Sequence, residues 1–160
     1  MSGNDGAREE FGCSGNLRCT QTVMTTNNRF KNAIASSVDL EERGEHAAAM
    51  GLLDEVIAEA IKHGEIRWIR TLCHHAAIRC RFRENWASAR GYYEQSLASD
   101  PENARALYGL AAIALDEGDP VTAREYAARC HTAILRTDDE ILQQVLLDLI
   151  AKEWPDLVRT

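Results

Sequence analysis

The side chains able to do chemistry in this sequence are five cysteines, five histidines, several acidic pairs and a cluster of arginines. Cys13 and Cys19 bracket the segment CSGNLRC, with five residues between them and no matching pair downstream. Structural zinc takes ligand pairs at closer spacing and needs four ligands, so this segment does not read as a metal half-site. Cys73-His74-His75 and Cys80 look more like a cluster. On a helix, however, Cys73 and Cys80 share one apolar stripe while His74 and His75 project elsewhere, which is the placement of buried structural thiols. His46 and His131 stand alone. Glu41-Glu42 and Asp138-Asp139 are adjacent in sequence and so diverge on a helix, which leaves no carboxylate pair for acid/base work. No GxGxxG, Walker, GxSxG or HExxH motif occurs. The expectation is a protein with no catalytic residues, no metal and no cofactor.

The arginines are less evenly spread. Lys62, Arg67, Arg70, Arg79, Arg81 and Arg83 fall within 22 residues, where Glu65 is the one acidic residue, although the chain as a whole carries a net charge of −7. Arg67, His74 and Arg81 are spaced seven apart and would line one side of a helix. Such a stripe can be an ordinary solvated face or a binding face. The overall acidity argues against a nucleic-acid binder, which is as a rule strongly basic.

These residues sit in a chain that reads as helix after helix. Of 160 residues, 45 % are hydrophobic and 6 % aromatic, so small side chains, mainly Ala, fill many apolar positions and favour close helix packing. Helical periodicity starts at Phe30 (Phe30, Ala33, Ile34, Ser37, Val38) and breaks at Gly44. A second helix carries Leu52, Leu53, Val56, Ile57 and Ala60, and His63-Gly64 ends it. A third runs from about Glu65 to Phe82. The fourth carries Trp86, Ala89, Tyr92, Tyr93 and Leu97 and stops at Asp100-Pro101. The fifth is expected to begin with Pro101 at its first helical position. Gly118-Asp119-Pro120 then gives a stop, a cap and a new start, and a sixth helix follows. A seventh carries Ile141, Leu142, Val145, Leu146, Leu149 and Ile150. No segment reads as a strand, and no apolar run reaches the 18 residues that a membrane-spanning helix needs. Residues 1–28 are rich in Gly, Ser, Asn and Thr without periodicity and read as a disordered tail. They lack a secretory signal, Met24 is a second candidate start, and a cytoplasmic protein is expected.

Residues 70–103 and 104–137 align as two consecutive units of 34 residues, with small residues at the same places: Ala77 and Ala89, then Ala111 and Ala123. Together with the aromatics after Ala89, Asp100-Pro101 and Gly118, this spacing resembles the tetratricopeptide (TPR) repeat. A weaker unit spans about 30–63, with Ser37, Ala49 and Gly44 at the corresponding places. The pattern is not uniform: Glu84 stands where the repeat has its turn Gly, and Cys73 where Leu107 stands in the next unit.

The resemblance implies an all-α protein, a right-handed superhelix of about three helical hairpins (30–63, 70–103, 104–137) within a domain over 29–154. A capping helix over about 138–154 and a C-terminal tail over 155–160 would complete it. It also implies that the first helix of each hairpin lines a concave groove, where Arg67, Thr71, His74, Ile78 and Arg81 would join Arg105, Tyr108, Ala112 and Leu115. Function would then be that of a scaffold or adaptor binding a peptide or partner domain in that groove, with an acidic partner expected at the third helix. Members that clamp a C-terminal carboxylate use places filled here by Ile34, Val38, His75, Arg105 and Gly109, of which Arg105 alone fits. A bacterial secretion-type chaperone and a self-associating structural repeat protein, a homo-oligomer, are the other readings. Neither nucleic acid nor membrane is expected as a partner.

Overall fold

A computed structural model of the chain describes residues 15–159, and side chains from Thr25 onward. Eight helices follow one another: α1 Gly15–Glu42, α2 His46–Lys62, α3 Ile66–Phe82, α4 Trp86–Ser99, α5 Ala104–Asp116, α6 Pro120–Ile134, α7 Glu140–Glu153 and α8 Pro155–Val158. There is no strand among the described residues. Three hairpins, α1–α2, α3–α4 and α5–α6, pack each on the next, and the first helices α1, α3 and α5 touch in that order.

Four turns share one device. Gly44, Gly64, Glu84 and Gly118 each adopt a left-handed backbone, with φ of 76°, 66°, 56° and 79°. In each case the next residue donates its N–H to a carbonyl five positions back: Glu45 to Leu40, Glu65 to Ala60, Asn85 to Cys80 and Asp119 to Ala114. This is the Schellman closure of a helix, and it turns the chain sharply enough to lay the next helix alongside. Only Glu84 does this with a side chain that disfavours the conformation. Asn85 and Asp119 then cap α4 and α6 by accepting from the N–H groups of Ser88 and Thr122.

The small residues at matching repeat places are all inside. Ser37, Ala49, Ala77, Ala89, Ala111 and Ala123 are each fully buried. They allow the paired helices to approach closely, and larger residues fill the space between layers. Phe30 and Trp68 meet as tilted rings with centroids 5.4 Å apart in the first layer, Tyr93 and Leu110 occupy the middle, and Ile134, Leu146 and Ile150 the last.

Three boundaries differ from the sequence expectation. The described part of the expected tail, 15–28, is helical and continuous with α1, and Asn27 accepts from the Trp68 indole N–H at 2.6 Å. A helix once nucleated extends at low cost, so a polar stretch without periodicity can still continue it. Residues 1–14, Cys13 among them, lie outside the described residues. Pro101 does not open α5. It lies in a turn where Glu102 N–H bonds the Asp100 carboxylate at 3.3 Å, and the helix starts at Ala104. The expected tail 155–160 contains α8, which contacts α6 and places Asp156 on Arg124. Trp154, buried between α7 and α8, anchors that return.

Candidate functional site

Eight of the nine residues expected on the first-helix side fall into three groups, and the ninth, His74, lies with its ring 6.3 Å from that of Tyr93. Arg67, Thr71 and Arg105 line one cleft of about 340 Å³ together with Arg70, Asn103, Thr137, Leu142 and the carboxylate-bearing Asp139. Thr71 Oγ1 donates to the Arg67 carbonyl at 3.0 Å, and Arg67 leans on the Trp68 ring. Among the described residues neither Arg67 nor Arg105 makes an ion pair. Ile78 and Arg81 line a second cleft of about 320 Å³ with Phe82 and Trp86. Ile78 and Phe82 continue into a third, of about 610 Å³, which reaches across to Val38 and Glu41 of α1. Tyr108 and Leu115 lean instead on the apolar cluster between α5 and α6, and Ala112 of α5 is half-buried.

The basic cluster is not unopposed, as its local sequence suggests. Carboxylates from other elements meet it: Arg70 pairs with Asp100 at 3.1 Å, Arg81 with Asp116 at 3.2 Å, and Arg83 with Glu41. Arg79 donates to the buried Ser37 hydroxyl at 3.0 Å. Nor does His74 add charge to the stripe. Burial, and then the charges of Arg105, His75 and Arg81, hold its imidazole down to about 4, so the ring is neutral at physiological pH. His75 is shifted the same way by burial, Arg79 and Arg105.

Four side-chain polar atoms among the described residues are buried without a hydrogen-bond partner: Glu41 Oε1, His74 Nδ1, Arg79 Nε and Arg81 Nε. All four belong to α1 or α3. Glu41 Oε1 and Arg79 Nε face each other in an ion pair at 4.0 Å, which leaves His74 Nδ1 and Arg81 Nε as the costly, unanswered atoms. The second helices carry no such atom in the described residues. Tyr92 donates to Asp54 at 2.6 Å, and Arg90 pairs with Glu117.

The thiols read as structural. Burial pushes Cys73 and Cys130 up to about 12, and Cys80 upward, so none is a thiolate at neutral pH. Cys130 Sγ instead donates to the Ala104 carbonyl, which ties α6 to the start of α5. No group of three or more His, Cys, Asp or Glu among the described residues could hold a metal ion. The sequence places Tyr93 and Trp86 on the fourth helix and Phe82 at the end of the third, but marks none of them as a site residue. The signal for Tyr93 is Gly109, where a Cβ would stand 2.3 Å from Tyr93 Cζ, so the phenol passes α5 where glycine leaves room for it.

An all-helical stack of hairpins, with small residues at the close contacts and one side left partly unsatisfied, is the build of a repeat scaffold. Residues 81–130 match the family model for the tetratricopeptide repeat, which supports the TPR reading of the fold. Comparison with curated proteins gives no match. TPR repeats in general mediate protein–protein interaction and are typically scaffolds without an activity of their own. No helix among the described residues is long and apolar enough to cross a membrane.

Proposed function

We propose that the protein is an adaptor that binds an acidic peptide or partner segment along the face made by α1, α3 and α5. The supporting observation is that the buried polar atoms left without a partner, His74 Nδ1 and Arg81 Nε, both lie on α3. A scaffold can carry groups unsatisfied by its own chain when a ligand completes them. Charge favours an acidic occupant, since Arg67 and Arg105 face the cleft at the α3–α5 seam without an ion pair. Their field would accelerate encounter with a negative segment, and apolar contact at Ile78 would slow its release.

The test uses a library of short acidic peptides against the full chain, with association rates measured as salt is raised. The wild-type rate should fall steeply with salt, and Arg67→Glu with Arg105→Glu should slow association about tenfold or more and flatten that dependence. Both side chains are exposed and make no ion pair, so folding should persist with at most the small loss of the Arg67 contact on the Trp68 ring. Equal rates and equal salt slopes for the two proteins would overturn the acidic-peptide reading.

A further inference from the structure

The cleft at the α3–α5 seam has a further wall in the loop between α6 and α7. Thr137 lines it beside Arg67, Arg70, Arg105 and Asp139. Arg70 is already paired with Asp100, at 3.1 Å. Asp139 spends a carboxylate oxygen on the Leu142 N–H, at 2.9 Å, and the α7 N-terminus there offsets part of its charge. Arg67 and Arg105 make no ion pair among the described residues, so two guanidinium groups are left to face whatever the cleft receives. The Thr137 hydroxyl is loosely held. It accepts from the Asp139 N–H at 3.4 Å, and the residue is half-buried in a segment outside any helix. At about 340 Å³ the cleft is roughly ten times the ~30 Å³ share of a liquid water molecule, so a group of four oxygens fits.

The sequence around Thr137 adds a second observation. Asp138, Asp139 and Glu140 follow it, all exposed and none in an ion pair among the described residues. A hydroxyl trailed by free carboxylates suits a protein kinase whose peptide-binding surface is basic, by charge complementarity. Ser99 is also followed by acidic residues, Asp100 and Glu102, but it lies inside α4, and Arg70 and Arg136 already pair with those two carboxylates. We infer that Thr137 is a phosphorylation site whose phosphate is received by Arg67 and Arg105 across the seam. In the transfer, Thr137 Oγ1 bonds the terminal phosphorus of a nucleoside triphosphate, the bond from that phosphorus to the bridging oxygen breaks, and the hydroxyl proton passes to the kinase's base. The product carries a charge of about −1.5 to −2, which two guanidinium groups match and one threonine hydroxyl does not. Without them the three carboxylates alongside would repel it. The regulatory consequence rests on the reading that this cleft attracts an acidic segment: the phosphate occupies the same two arginines and closes the cleft to the ligand.

The experiment uses the full chain with phosphothreonine introduced at Thr137 during translation, and follows its phosphorus resonance as pH is varied. The second ionisation should fall below its ordinary value of about 6, because the guanidinium groups favour the dianion. Arg67→Gln combined with Arg105→Gln should raise it by about half a unit or more, since the neighbouring carboxylates then act alone and favour the monoanion. Equal values in the two proteins overturn the cleft as the receiver. Should the double variant unfold, Arg105→Gln alone is measured in the same way. Incubation of the unmodified full chain with ATP and an acid-directed protein kinase should place phosphate on Thr137, located by fragment mass, and most of the incorporation should vanish in Thr137→Val. Phosphate on Ser99 with Thr137 untouched overturns Thr137 as the acceptor. The tightest acidic peptide should bind the phosphorylated chain about tenfold more weakly. Unchanged affinity beside a lowered ionisation overturns the regulatory consequence. If no acidic peptide binds the unmodified chain, the adaptor reading fails, and the phosphorus titration still decides the phosphate site.

Discussion

The two sides of the α3–α6 core are built from the same repeat and end up different. On the second-helix side, exposed polar groups find partners within the chain: Tyr92 on Asp54, Arg90 on Glu117, Arg124 on Asp156. On the first-helix side, Arg67 and Arg105 make no ion pair among the described residues, although Asp139 lines the same cleft, and His74 and Arg81 keep buried atoms without a hydrogen-bond partner. Exposed ion pairs add little stability, commonly under about 1 kcal/mol each, so the second-helix pairs matter less as glue than as closure. They answer part of that surface, although Arg129 of α6 rests on the Tyr126 ring without an ion pair among the described residues. The other surface is held in shape by the same buried alanines but not chemically completed. A repeat thus separates what makes it fold from what it can bind.

The largest effects should appear where this separation is attacked from the folding side. Ala89→Leu and Ala123→Leu should each destabilise by about 1–3 kcal/mol, because extra carbon has no room where two helices touch. Ala112→Leu, half-buried on the first-helix face, should be nearly neutral. Thermal denaturation of the three variants measures the contrast, and comparable losses at all three sites would erase the distinction between the sides.

Acid should reveal the first-helix face next. His74 binds its proton only near pH 4 when folded, whereas the unfolded chain takes it near 6.5. Between those values the unfolded state holds more protons, so stability present above pH 6.5 is lost as pH falls. The loss from this group should be about 1 kcal/mol by pH 5.5, since a tenfold change in proton concentration within that window is worth about 1.4 kcal/mol. His75 acts in the same direction, by an amount that His74→Gln leaves in place. Urea titrations at pH 7.5 and 5.5 should show a smaller difference for His74→Gln than for the wild type. Identical differences would mean that the ring is not held neutral.

The smallest effect sharpens the comparison by touching only the frame. Glu84→Gly should raise stability by about 0.5–1 kcal/mol, because glycine takes the left-handed turn that a side chain resists. Melting temperature reports the gain, and peptide affinity should not change. A loss of stability would show that the Glu84 side chain makes a contribution exceeding its backbone strain.

Much of this frame was legible in the sequence because it depends on local rules. Gly44, Gly64 and Gly118 mark their turns, Asp119-Pro120 marks a cap and a start, and the recurrence of Ala77 at Ala111 and Ala89 at Ala123 marks the close contacts. Where two local rules compete, the reading slipped: Pro101 fits a first helical position, but the Asp100 carboxylate holds it in a turn. The extension of α1 back to Gly15 has no apolar period to announce it. The face was less legible because its chemistry is decided across the fold. Which arginines are neutralised depends on Asp100, Asp116 and Glu41, which lie far away in sequence. That His74 is neutral depends on burial, and that Tyr93 reaches it depends on a glycine in another hairpin.

The central claim is that the first-helix face, and not the second, takes the ligand. A photoreactive side chain placed at Ile78 and, in a separate protein, at Ser88 tests this directly, since Ile78 lines the first-helix clefts and Ser88 lies on the far side in α4. Irradiation with the tightest acidic peptide should crosslink the Ile78 protein and leave the Ser88 protein unmodified. Crosslinking at Ser88 without crosslinking at Ile78 would contradict the account.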